Sequence, residues 1–138
     1  MFAPDNPAMR GLQLTADLYE CAADRACMSD LEALRTLCLD AVRTAGLEGV
    51  RDAFHRFEPT SHAVPAGLTG VVLLAESHVA VHTWPELRAA TIDVYVCNFG
   101  GDNSLKAREL LGRLLAAFAP SRVERRTLER GATPVPIA

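Results

Sequence analysis

The amino-acid sequence predicts an α+β two-layer sandwich, an antiparallel sheet with two helices packed on one face. Three observations lead there. The apolar periodicity changes along the chain in the order β-α-β-β-β-β-α-β. The middle strands are joined by short connections, so neighbours pair antiparallel. Only two helices are available, and two helices cover one face of such a sheet. The uncovered face calls for a partner, so the sequence implies a dimer at least.

The elements follow in order. Residues 11–19, GLQLTADLY, partly alternate and read as the first strand. Ser29 and Glu32 fit a capping box. It opens a helix with the stripe Leu31, Leu34, Cys38, Ala41, Val42 and Ala45, at helical spacing. Gly46 is its stop. Residues 49–58, GVRDAFHRFE, read as a strand, and TSHAVPAG after it as a loop. Residues 69–76, TGVVLLAE, are a short apolar run of the kind found in a buried strand. HVAVHTW (78–84) alternates, and TIDVYVC (91–97) follows as another strand. Asp102 or Asn103 caps a second helix with the stripe Ala107, Leu111, Leu114, Leu115 and Phe118. Residues 121–129, SRVERRTLE, read as a polar edge strand, and the tail, marked by Pro and Gly, is expected to be loose.

Composition narrows the function classes. A chain of 138 residues favours one domain with one core. The net charge of -3 supplies no basic patch for nucleic acid. No apolar run approaches the ~20 residues of a membrane span. The start, MFAPDNPAMRG, lacks the basic-then-apolar pattern of a signal peptide, so a cytoplasmic protein is expected. Four cysteines, Cys21, Cys27, Cys38 and Cys97, form no C-x-x-C pair, and free thiols are expected. Cys38 falls on a helix stripe and reads as core. There are 13 arginines and one lysine, Lys106, at the polar start of a helix. Amino-acid decarboxylation needs an electron sink, usually pyridoxal phosphate held on a lysine. A solvated Lys106 does not suit that task.

The segment A-E-S-H-V-A-V-H-T-W-P-E (75–86) concentrates reactive side chains. Glu76-Ser77 falls at a junction between strands, where a tight turn can hold strained geometry. His78 and His82 share one strand face, and Val79 and Val81 point the other way. Cys97 ends the next strand. A serine, one or two histidines and a thiol thus fall in a small region of the sheet. Each also has an ordinary reading: a turn serine, packed or surface histidines, and Phe57 and Trp84 as core aromatics. A zinc site on His78, His82 and Cys97 is disfavoured, and no metal is expected. Four residues of strand span about 13 Å, whereas both ligands must lie about 2 Å from one ion. A serine hydrolase is disfavoured too, because no G-x-S-x-G elbow surrounds Ser77.

The same segment resembles the processing-site motif of prokaryotic S-adenosylmethionine decarboxylase proenzymes, a pyruvoyl-dependent family. F-H-R-F-E-P (54–59), T-G-V-V (69–72) and I-D-V-Y-V-C (92–97) fall in the family's order, and A-D-L-Y-E-C (16–21) resembles its N-terminal strand. The resemblance runs from about residue 11 to 130. It implies cleavage between Glu76 and Ser77 into residues 1–76 (β chain) and 77–138 (α chain). It also implies a covalent pyruvoyl group derived from Ser77, which forms a Schiff base with the substrate amine. By the same resemblance, His82 moves a proton during processing, Thr69 assists with its hydroxyl, and Cys97 protonates the product α-carbon. Phe57 stacks on adenine, Glu86 binds ribose hydroxyls, and Trp84 belongs to the same substrate surface. A homodimer of cleaved protomers, with sites at the interface, is implied. The product would be decarboxylated S-adenosylmethionine, the aminopropyl donor of polyamine biosynthesis.

The chain departs from the family pattern at four places. Thr69 replaces serine, the TSHAVPAG loop is longer, L-R-A-A-T (87–91) stands where an aromatic, glycine-rich stretch is common, and C-N-F-G-G (97–101) replaces C-G. The processing machinery is thus well matched, and the substrate surroundings less so. The changes leave open a pyruvoyl-dependent decarboxylase acting on arginine or ornithine, with Arg88 or Glu58 binding the added charge. A non-catalytic regulatory homologue is the third reading, against which Ser77, His82 and Cys97 are all retained.

Overall fold

A computed structural model describes residues 9–98 and 100–131. Six strands form one antiparallel sheet: β1 (Gly11–Tyr19), β2 (Gly49–Arg56), β3 (Leu68–Leu74), β4 (Ser77–Trp84), β5 (Ala89–Cys97) and β6 (Arg122–Arg130). Their order across the sheet is β2-β3-β4-β5-β1-β6. Two helices, α1 (Leu31–Thr44) and α2 (Ser104–Phe118), complete the predicted order and the predicted α+β sandwich.

Alternation decides what each strand buries. On β1, Leu12, Leu14, Ala16 and Leu18 are buried, while Gln13, Thr15 and Asp17 are only half-buried. The same alternation recurs on β4 and β5, so one face of the sheet meets the helices. Leu34, Cys38, Ala41 and Val42 of α1 and Ala107, Leu110, Leu111, Leu114 and Phe118 of α2 fill that layer. Each large side chain buried there stabilises the fold by about 1.5–3 kcal/mol. The predicted α2 stripe omitted Leu110, which is fully buried, and Leu115 is only partly so.

Three expectations change. The α1 cap is Asp30, whose carboxylate accepts the Ala33 N–H at 3.1 Å. Ser29 is not the cap, because its N–H donates to Ala26 O in a preceding 3-10 turn and the helix starts one residue later. β2 stops at Arg56, not at residue 58, because Phe57 donates its N–H across the loop to Gly67 O. β3 is not buried on both faces: Leu73 is 47% exposed and Val71 half-buried, since only one sheet face has helices on it. β6 is the expected polar edge strand, one residue further along. The tail beyond residue 131 lies outside the described residues.

Candidate active site

Two clusters of reactive groups occupy opposite ends of the β3–β4 hairpin. The first is at the turn. Leu74 pairs with Ser77, so only Ala75 and Glu76 connect the strands. A two-residue connection needs positive φ somewhere, and the chain meets that need at Glu76, with φ 56°. The left-handed region costs an L-residue roughly 1–2 kcal/mol. The Glu76–Ser77 peptide is thus held in a strained turn by the register of two strands. The Ser77 hydroxyl is fixed as well, accepting the Cys97 N–H at 2.9 Å. Cys97 is buried at the end of β5, and its own carbonyl accepts from Asn103 Nδ2 at 2.8 Å. Asn98 Oδ1 takes the Asn103 N–H, which ties this loop to the start of α2.

The second cluster is at the other end. Thr69 and His82 are direct cross-strand partners, and Thr69 Oγ1 lies 2.6 Å from His82 Nδ1. The His82 ring is 6.3 Å from that of Trp84. Both border a pocket of about 460 Å³ whose lining also includes Phe57, Glu58, Thr83 and Glu86. Phe57 and Trp84 are 53% and 38% exposed. They are walls of this pocket rather than core residues. Glu86 sits in the 3-10 turn Pro85–Leu87 that closes β4. The lining described carries two carboxylates and no lysine or arginine. Arg88, considered above as a carboxylate ligand, is turned elsewhere: its Nε donates to Cys21 O at 2.8 Å.

The sequence expectation of one small region therefore holds for Ser77, His78 and Cys97 but not for His82. Five residues of strand put His82 roughly 16 Å from Ser77. The odd spacing also turns the two side chains to opposite faces. His78 and His82 do share the open face, as predicted, and the His78 ring tilts against Tyr95 at 5.7 Å. Cys21, Cys27, Cys38 and Cys97 are all buried, and none is in a disulfide. Burial pushes the Cys38 thiol up to about 12 and that of Cys27 to about 11, so both are inert core groups. Sequence reasoning missed Thr83, Asn98 and Asn103. Thr83 had a readable signal, a polar residue in register with Val79 and Val81 on the core face.

This sheet, with both helices on one face, is the fold of solved decarboxylases of one class. The crystal structure of the adenosylmethionine decarboxylase from Aquifex aeolicus VF5 superposes with a TM-score of 0.76 at 37% identity, covering 89% of this chain and 92% of that one. The Trypanosoma brucei AdoMetDC-delta26 monomer shares the fold at 14% identity and a TM-score of 0.53, with 83% of this chain and 44% of that one covered. The S-adenosylmethionine decarboxylase family profile matches residues 12–131. The S-adenosylmethionine decarboxylase proenzyme of Persephonella marina is 41% identical over 125 residues, 91% of this chain and 85% of the relative. That of Aquifex aeolicus is 40% identical over 121 residues, 88% and 81% of the two chains. The chain belongs to the S-adenosylmethionine decarboxylase family.

Proposed function

We propose that the chain is a proenzyme that cuts itself between Glu76 and Ser77 and then decarboxylates S-adenosylmethionine. The product is the aminopropyl donor of polyamine synthesis. The observation that carries this reading is the placement of Ser77 directly after Glu76 at φ 56°, with its hydroxyl held by the Cys97 N–H.

The processing step follows from that placement. The Ser77 hydroxyl adds to the Glu76 carbonyl, its proton leaves to a base, and the Glu76–Ser77 C–N bond breaks to give an ester. Loss of the Ser77 α-proton then expels the Glu76 carboxylate. Hydrolysis of the resulting enamine releases ammonia and leaves a pyruvoyl group on residue 77. Strain at Glu76 favours the first step, because breaking the peptide relieves it. An imidazole suits the proton transfers, since a free one titrates near neutrality. His82, with Thr69 on its Nδ1, takes that role.

The residues around Ser77 fit a pyruvoyl group. That group supplies a ketone as electron sink for the carbanion left when CO2 departs. The Cys97 N–H that now meets the serine hydroxyl can hold an oxygen in the same place, and the Cys97 thiol delivers a proton to the product α-carbon. Phe57 and Trp84 offer aromatic faces for adenine, and Glu86 accepts from ribose hydroxyls. Two pocket carboxylates beside aromatic rings also suit the sulfonium charge. The carboxylates would suit the side-chain cation of arginine or ornithine equally, so it is the aromatic pair, which matches a nucleobase, that favours S-adenosylmethionine.

Ser77 and His82 point to opposite sheet faces within one chain, and one sheet face has no helix on it. Both facts support a homodimer in which the Thr69–His82 end of one protomer serves Ser77 of the other. Intact mass under denaturing conditions tests the whole reading. Two fragments divided between 76 and 77, the second lighter by one ammonia than simple hydrolysis gives, are expected. A single chain persisting after long incubation would refute it.

A further inference from the structure

Thr83 is the buried polar residue of the described core, with 4% of its surface exposed. It lies on the helix-side face of β4, one residue from His82. Its hydroxyl makes two bonds at once. It accepts the Leu68 N–H at 2.9 Å and donates to the Met28 carbonyl at 2.8 Å. Leu68 is one residue from Thr69. The β3–β4 pairing ends at Thr69↔His82, so the Thr83 hydroxyl stands where the ladder runs out. The Leu68 N–H, which the sheet would otherwise leave without a carbonyl, is satisfied by a side chain instead.

This junction is also where the pocket loop rejoins the sheet. Gly67 packs so closely there that a Cβ on it would lie 2.6 Å from the Thr83 carbonyl oxygen. Gly67, Leu68, His82 and Thr83 all line the aromatic pocket. The Met28 carbonyl belongs to the 3-10 turn Ala26–Met28 that precedes α1. One hydroxyl therefore ties three segments together directly beneath the Thr69–His82 pair.

We propose that Thr83 is a positioning residue for the Thr69–His82 pair. Its hydroxyl fixes the backbone at the start of β3 against β4, and so holds Thr69 Oγ1 on His82 Nδ1 and sets the wall of the pocket. This rests on the reading of Thr69 and His82 as the proton-transfer pair of self-cleavage. Without the hydroxyl, the Leu68 N–H and the Met28 carbonyl both lose a buried partner, and the end of β3 shifts to find new ones.

Two substitutions separate positioning from bulk stability. Thr83→Val keeps the branched shape and removes the hydroxyl, whereas Thr83→Ser keeps the hydroxyl and removes a methyl group. Full-length chains are purified uncut at low temperature, and the rate of self-cleavage is followed by gel beside the thermal midpoint. Thr83→Val is expected to cleave about tenfold or more slowly, and Thr83→Ser within about threefold of the native rate. Folded Thr83→Val cleaving at the native rate overturns the proposal. So does slowing of both variants in proportion to their melting temperatures. If Thr83→Val does not fold, Gly67→Ala decides, because its Cβ forces the same junction apart without removing a core group. Slow cleavage by folded Gly67→Ala upholds the proposal, and a native rate overturns it. Native protein that never cleaves refutes the proenzyme reading itself, and this proposal falls with it.

Discussion

Ser77 and His82 lie on one strand, five residues apart, and face opposite sides of the sheet. The first sits at the hairpin turn with its hydroxyl on the Cys97 N–H, and the second sits at the pocket end against Thr69. In the proposed dimer, the histidine that exchanges protons at Ser77 comes from the other copy of the chain. Ser77→Ala and His82→Ala chains are each expected to stay uncut when produced alone. Produced together, they form mixed dimers in which an intact Ser77 faces an intact His82, and the His82→Ala chain is cut. Gel analysis with different tags on the two chains reads this directly. Absence of any cut chain from verified mixed dimers would mean that the site is not shared.

The strain at Glu76 has its own signature. In an uncleavable Ser77→Ala background, Glu76→Gly relieves the left-handed backbone, a gain of about 1 kcal/mol partly offset by the extra freedom of glycine when unfolded. Glu76→Val, β-branched at positive φ, loses at least ~1 kcal/mol. Urea denaturation compares them. A valine variant as stable as the glycine one contradicts a strained turn. With Ser77 restored, Glu76→Gly is expected to cleave several-fold more slowly, because less strain is released on cutting.

The pocket residues separate binding from processing. Phe57→Ala and Glu86→Gln leave the turn at Ser77 intact, so both chains should cut themselves to completion. Their KM for S-adenosylmethionine should rise roughly tenfold, in keeping with about 1–2 kcal/mol from an aromatic face or a charged hydrogen bond. A change confined to kcat would place these side chains at the reacting carbon rather than at the nucleoside.

Most of the fold was legible because its causes are local. The partial alternation of β1, the alternation of β4 and the helical stripes of α1 and α2 were enough to give type and order. The pairing of Ser77 with Cys97 was less visible, since a hydrogen bond across β4 and β5 depends on register, which periodicity does not set. His82 was placed too near Ser77 by proximity in sequence, although strand rise and parity already separate the two. Phe57 and Trp84 were expected on the substrate surface only through the family resemblance, since an aromatic residue by itself reads as core, and the loop from 57 to 67 opens the pocket they line. Thr83 was passed over because a threonine in a strand is ordinary, and its two partners, Met28 and Leu68, are distant in sequence.

The core thiols make stability fall at alkaline pH. Burial raises the Cys38 thiol to about 12 and the Cys27 thiol to about 11, above a usual value of about 8.5. The folded state thus keeps protons that the unfolded chain gives up. Their contribution is fully present below about pH 8.5 and is lost as pH rises toward 11–12. Other groups titrate in this range, so the comparison is between two chains in the Ser77→Ala background, with and without Cys38→Ala. At pH 8 the alanine variant is the less stable, since truncation leaves a cavity. By pH 10.5 the difference should shrink by roughly 2–3 kcal/mol, because only the thiol-bearing chain pays to keep Cys38 protonated. Urea midpoints at pH 8 and 10.5 measure it, and a constant difference would show that Cys38 titrates as freely in the native protein as in the unfolded one.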